Sequence, residues 1–186
     1  MTLLRASLAI FLLAGCAQTS GTVEIPPEEL PFSVARESVP QQTPAPRHPV
    51  RVFFVQGGRL VPATRVVHLA LPDAEAAVRE LLEGPTQRER SSGISSELLP
   101  EVRLLAVSVG DGTANVDLSG EFEEPAPSDR IALRVAQVVW TLTELPGIAA
   151  VHFSIDGESV AVTTPDGTAV DRPVSRADYE AVSPPS

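Results

Sequence analysis

Between Ser128 and Leu145 the apolar residues Ile131, Val135, Val138, Leu142 and Leu145 recur at steps of four and three. Arg130, Arg134, Gln137, Thr141 and Glu144 keep the same spacing on the opposite side. The pattern predicts an amphipathic helix with one stripe for a core and one for water. Ser128 is placed to cap its start, Asp129 faces the positive end of its dipole, and Pro146-Gly147 stops it. Val151, Phe153 and Ile155 then alternate with His152 and Ser154, the mark of a half-buried strand, and Asp156-Gly157 supplies a hairpin turn.

The chain before this helix has its own alternations. Val50, Val52 and Phe54 share one face of a strand over 50–55. Gln56-Gly57-Gly58-Arg59 reads as a hairpin turn, and 60–67 returns as a strand in which Pro62 marks an edge or a bulge. Asp73 caps a second helix with Val78, Leu81 and Leu82 inward, Glu75 and Arg79 paired outside, and Gly84 at its end. Thr86 and Glu89 have capping-box spacing, so a short helical turn starts there. Residues 91–100 read as loop and 102–109 as an apolar strand. Asp111-Gly112 turns the chain into a strand with Ala114, Val116 and Leu118 inward, and 119–127 reads as an acidic loop. After Asp156-Gly157, Val160 and Val162 mark another strand and Asp166-Gly167 a further turn. The order β β α β β α β β predicts an α+β fold: a single domain with two helices packed on one face of a mostly antiparallel β-sheet.

The first residues have a different pattern. A short basic start at Arg5 precedes an apolar run from Leu8 to Ala14, too short to span a bilayer and of signal-peptide length. Leu13-Ala14-Gly15-Cys16 resembles the lipobox of bacterial lipoproteins at every position. The resemblance implies a signal peptide over 1–15, acylation of Cys16 (a palmitate-type anchor), and an extracytoplasmic protein held at the cell membrane; an ordinary secretory signal with a chance cysteine is the alternative. Residues 16–49, rich in Pro, Ser, Thr and Gln without periodicity, read as a disordered tether. The globular domain is then expected over 50–180, with a disordered tail at 181–186.

Composition narrows the function. A formal charge of −10 disfavours nucleic acid and anionic lipid surfaces as partners. All 14 basic residues are arginine, which leaves no lysine for a Schiff base, a P-loop or a Ser-x-x-Lys nucleophile. His48, His68 and His152 are scattered, Cys16 is committed to lipid, and no Gly-x-Ser-x-Gly elbow occurs. Asp117, Glu121, Glu123 and Glu124 form an acidic cluster without EF-hand spacing, which reads as a solvated loop. No catalytic residue, metal site or cofactor is therefore expected.

Several motifs stand together: Leu81-Leu82-Glu83-Gly84-Pro85-Thr86, Leu99-Pro100 leading to Val107-Ser108-Val109 and Asp111-Gly112, and Val116-Asp117-Leu118-Ser119 with Phe122. Ala136-Gln137-Val138-Val139, Thr141-Leu142-Thr143 and the strand from Val151 to Ile155 join them. Over most of residues 50–165 the set resembles the GerMN domain of sporulation and spore-germination proteins. The resemblance implies a small, non-catalytic α+β domain of envelope lipoproteins. It also implies binding or scaffolding of other envelope proteins in sporulation, germination or envelope sensing. Gly84, Pro85 and Thr86 are candidate partner-binding residues, although a helix stop and a cap explain all three. Trp140, at the rim of its helix's apolar stripe, is a candidate anchor or a core-edge residue. A small-ligand or cell-wall-fragment binding lipoprotein is the alternative, disfavoured for sugars by 4% aromatic content. An envelope hydrolase is the third reading and lacks an acid–base pair.

Overall fold

The structure, a computed structural model, describes residues 47–68 and 73–185. The stretch read as signal peptide, Cys16 and nearly all of the stretch read as tether lie outside the described residues.

The first strand, β1 (His48–Gln56), begins two residues inside the stretch read as tether. It pairs antiparallel with β2 (Arg59–Val67) in unbroken register from His48↔Val67 to Gln56↔Arg59. The two-residue loop Gly57-Gly58 makes Gln56↔Arg59 a hydrogen-bonded pair, and bonding alternates from there. Phe53 and Pro62 therefore meet in a non-bonded pair. Pro62 costs the ladder nothing because its missing N–H would have pointed away from β1. No bulge is needed.

Helix α1 (Ala74–Leu82) starts where Asp73 accepts the Ala76 N–H at 2.7 Å, and buries Ala74, Ala77, Val78 and Leu81. The short helix α2 (Gln87–Ser91) follows its capping box, with both the Thr86 and Glu89 halves formed. Strands β3 (Leu104–Gly110) and β4 (Thr113–Leu118) form a hairpin around Asp111-Gly112. Both turn residues have positive φ, 49° and 75°, as the primed turn requires. Ala114, Val116 and Leu118 are buried, as the alternation predicts. The acidic connection beyond β4 is not wholly a loop. Gly120–Glu123 makes a 3-10 turn that buries Phe122 against Phe153.

Helix α3 (Ser128–Leu142) leads into β5 (Ala150–Ile155), which pairs parallel with β4 from Thr113↔Ala150 to Leu118↔Ile155. The residue before the helix is Pro127, and Ser128 is its first helical residue rather than its cap. The strand expected after Asp156-Gly157 is split into β6 (Glu158–Ser159) and β7 (Val162–Thr163). Strand β8 (Ala169–Val170) pairs with β7. A 3-10 segment at Arg176–Val182 buries Tyr179 and runs into the stretch read as tail.

The fold is thus α+β, but its strands form three sheets, β1-β2, β3-β4-β5-β6 and β7-β8, not one. The pairing is antiparallel except between β4 and β5. Helix α3 packs against β1, β2, β5, β7, α1 and the closing 3-10 segment, so it lies within the core instead of covering one sheet face. The middle of its second stripe is correspondingly not a water face, although Arg130 at its start is exposed. Arg134, Gln137 and Thr141 are 3%, 0% and 0% exposed. Thr141 Oγ1 accepts the Phe53 N–H at 3.1 Å, and Gln137 Nε2 donates to the Phe53 carbonyl at 3.0 Å. Gln137 Oε1 accepts the Glu97 N–H at 2.8 Å. Arg134 donates to the carbonyls of Glu97, Phe122 and Glu124. The polar stripe therefore replaces the strand that β1 lacks on its outer edge.

Gln137→Leu strands the Phe53 carbonyl and the Glu97 N–H in the interior. It is expected to lower the unfolding free energy by about 2–3 kcal/mol, read as a lower urea midpoint. An unchanged midpoint would mean that water takes over both bonds.

Candidate functional site

At the exit of α1 the chain must reverse within a few residues. Gly84 does so with φ 76°, and the next residue, Pro85, is buried. Arg65, reaching from β2, grips this turn. It makes a bidentate pair with Glu89 at 2.9 and 2.8 Å and donates to the Gly84 carbonyl at 3.2 Å. Its guanidinium lies 5.1 Å from the Phe54 ring centroid. Arg90 donates to the Pro85 carbonyl. The Arg65 guanidinium, with help from Thr86, pulls the Glu89 carboxyl down to about 2 from its ordinary 4.5.

On the other side of the turn runs the 94–100 loop. Ser95 exchanges both backbone bonds with Val55 at 2.8 Å, and Gln137 and Arg134 hold Ser96 and Glu97. Between turn and loop lies a groove of 320 Å³ whose apolar lining is Leu82, Pro85, Ile94, Leu98, Leu99 and Pro100. The exposed side chains of Glu83 and Arg90 border it. A second hollow of 330 Å³, lined by Arg79, Leu82, Glu83, Val102, Arg103 and Leu104, shares Leu82 and Glu83 with the first. Both lie beside the end of α1, with charges of both signs bordering their apolar residues.

The predicted site residues divide. Gly84 and Pro85 line the groove, whereas Thr86 is absent from its lining and is spent on the α2 capping box. Trp140 is elsewhere. Its ring packs on Phe53 at 5.5 Å and lies under the Arg176 guanidinium at 4.5 Å. Phe53 and Phe54 are successive residues of β1, so the Trp140 and Arg65 clusters sit on opposite faces of the hairpin. The structure does not bring Trp140 together with Gly84 and Pro85. The 94–100 loop, which supplies half of the lining, was read only as loop. Its Ile94, Leu98 and Leu99 carry no periodicity, so nothing local marks them as a wall.

Other polar groups are engaged within the fold. Asp117 accepts the Gly157 N–H at 3.0 Å, and His152 Nε2 lies 3.0 Å from Ser159 Oγ on the polar face of its sheet. The nearby Ser119 side chain, more than any other cause, keeps the Glu121 carboxyl below its ordinary range, and Glu121 Oε2 is buried without a hydrogen-bond partner. A cleft of 450 Å³ lies beside Thr164, Asp166, Arg172 and Asp178. There Arg172 pairs with Asp178 at 2.6 Å and pulls its carboxyl down to about 2. Carboxylates depressed in this way are ionised acceptors at neutral pH, unsuited to general acid work. Among the described residues no three His, Cys, Asp or Glu gather as metal ligands.

The sequence profile of the Germane family, described as sporulation and spore germination, matches residues 51–161. The tandem GerMN domains of the sporulation protein GerM from Bacillus subtilis are similar with a TM-score of 0.58 and 25% identity, over 72% of this chain and 46% of that one. The chain thus spans about half the length of that tandem structure. The first GerMN domain of the same protein is similar with a TM-score of 0.53 and 25% identity, over 70% of this chain and 98% of that one. No curated protein matches the chain.

The depressed Glu89 carboxyl has a consequence for stability. Its contribution is complete above about 4.5 and is lost as pH falls toward about 2. Unfolding free energy is expected to drop across that window, and Glu89→Gln is expected to flatten the slope. Equal slopes in the two proteins would mean that Arg65 does not hold Glu89 in solution.

Proposed function

The chain belongs to the Germane family of sporulation and spore germination, and from that membership we propose that it is a lipid-anchored, extracytoplasmic lipoprotein whose GerMN-type domain binds a protein partner in the cell envelope. Cys16 carries the anchor and residues 17–46 the tether. The domain works by presenting a surface, with no chemistry of its own. Its process is of the sporulation, germination or envelope-sensing kind.

The observation that carries this reading is the groove at the end of α1. Its lining is apolar, its margin carries Glu83 and Arg90, and its walls are fixed from both sides by Arg65 and Gln137. A preorganised apolar surface with a charged border is what a protein partner needs. The engagement of Asp117 and Asp178 within the fold supports a non-catalytic role. In this reading attachment is through Cys16; no described helix is long and apolar enough to cross a membrane.

Crosslinking in intact cells followed by purification of the full chain is expected to recover a dominant envelope protein. Leu99→Asp, at a half-buried groove position, is expected to weaken that capture about thirtyfold, as loss of a central contact does. Capture that survives the substitution would put the partner elsewhere. Cys16→Ala is expected to move the protein from the membrane to the soluble fraction. Salt-resistant membrane association of that variant would overturn the anchor.

A further inference from the structure

Strand β3 is the outermost strand of the four-stranded sheet. The two-residue loop after it makes Gly110↔Thr113 a hydrogen-bonded pair, so Ser108 and Ala106 also bond to β4. Val107 and Val109 then turn their N–H and C=O groups away from it. The same rule turns Arg51, Phe53 and Val55 outward on β1; there the groups of Phe53 and Val55 are all bonded, and Arg51, further along that edge, carries a charge. On β3, among the described residues, nothing bonds to Val107 or Val109 from outside.

The other edges are defended. Helix α3 and Ser95 close β1. On β2, Pro62 offers no outward N–H, and Arg59 and Arg65 add charge. β6 is only two residues long. β3, Leu-Leu-Ala-Val-Ser-Val-Gly, has neither charge nor proline, and Leu105 and Val109 are 47% and 51% exposed. A bulge between Leu104 and Ala106 limits its straight part to Ala106–Gly110.

We propose that this edge is a self-association surface, on which a second copy of the chain pairs its own β3 antiparallel across a two-fold axis at Ser108. That register sets Val107 of each copy against Val109 of the other, so the outward groups of both are satisfied. It also brings the Arg103 end of one strand beside the Asp111 end of its partner, whereas parallel pairing would set like charges together. Arg103 is available: its side chain is 72% exposed and its ion pair with Glu121 is long, at 4.0 Å. With a net charge of −10, two copies repel over most of their surface, and the neutral edge is where they approach at least cost. The pairing does not depend on what the groove at α1 binds.

The test is sedimentation of the full chain carrying Cys16→Ala, over a concentration series. A reversible monomer–dimer equilibrium is expected. Val109→Pro removes the outward N–H as Pro62 does on β2, and is expected to weaken dimerisation about tenfold or more. Val66→Lys, on the exposed β2 edge, is expected to leave it unchanged. Ser108→Cys supplies a readout that does not rely on the proline variant folding. It becomes the only thiol, and facing residues of a non-bonded antiparallel pair lie about 4.5 Å apart at Cα, within disulfide reach. A covalent dimer on oxidation is expected. A monomer at every concentration overturns the proposal, as does a dimer that ignores Val109→Pro and gives no Ser108→Cys crosslink. Capture of an extended strand from another protein, without self-association, would equally overturn it.

Discussion

Two side chains of α3 complete a sheet that has no third strand. Thr141 and Gln137 take the N–H and carbonyl of Phe53, which β2 cannot reach because those groups face the other way. Without them, a strand buried on both faces would leave its edge unpaired in the interior. Much else hangs on this contact. Helix α3 follows β4 and leads into β5 along the chain and packs on β5, so the same two residues couple the hairpin to the four-stranded sheet. Gln137 also holds the backbone of Glu97, so the wall of the groove at α1 is positioned by the helix that closes β1.

The fold was legible wherever a local rule decides the conformation. Hairpin turns, the Asp73 cap, the Thr86–Glu89 box and the alternation of β4 all follow from neighbours within a few residues. What could not be read was the environment of each face. Arg134, Gln137 and Thr141 look like solvent residues because polar side chains at helical spacing usually are. They are buried here because they meet backbone groups far away in sequence. β3 shows the converse. Its apolar run reads as interior, but it is the last strand of its sheet, and only the pairing order reveals that.

The candidate site was half visible for a related reason. Gly84 and Pro85 announce themselves through turn geometry, and that geometry is why they line the groove. Trp140, at the rim of its helix's apolar stripe, is a core-edge residue occupied by Phe53 and Arg176. Arginine does this kind of structural work repeatedly: Arg65 fastens the α1 exit, Arg134 the connection to α3, Arg176 the Trp140 cluster. In a chain without lysine, planar guanidinium groups reach several carbonyls at once and a point-charge ammonium would not replace them.

The closure of β1 by α3 also sets an order of events. Phe53 is separated from Gln137 by 84 residues and from Thr141 by 88. The hairpin is made of near neighbours and can form as soon as it leaves the ribosome, long before the helix that completes it exists. During that interval one edge of the hairpin is shielded permanently by Pro62, while the other waits. The nascent domain is therefore most vulnerable to foreign strand pairing not at its ends but along β1, and for a period set by the time needed to synthesise everything between.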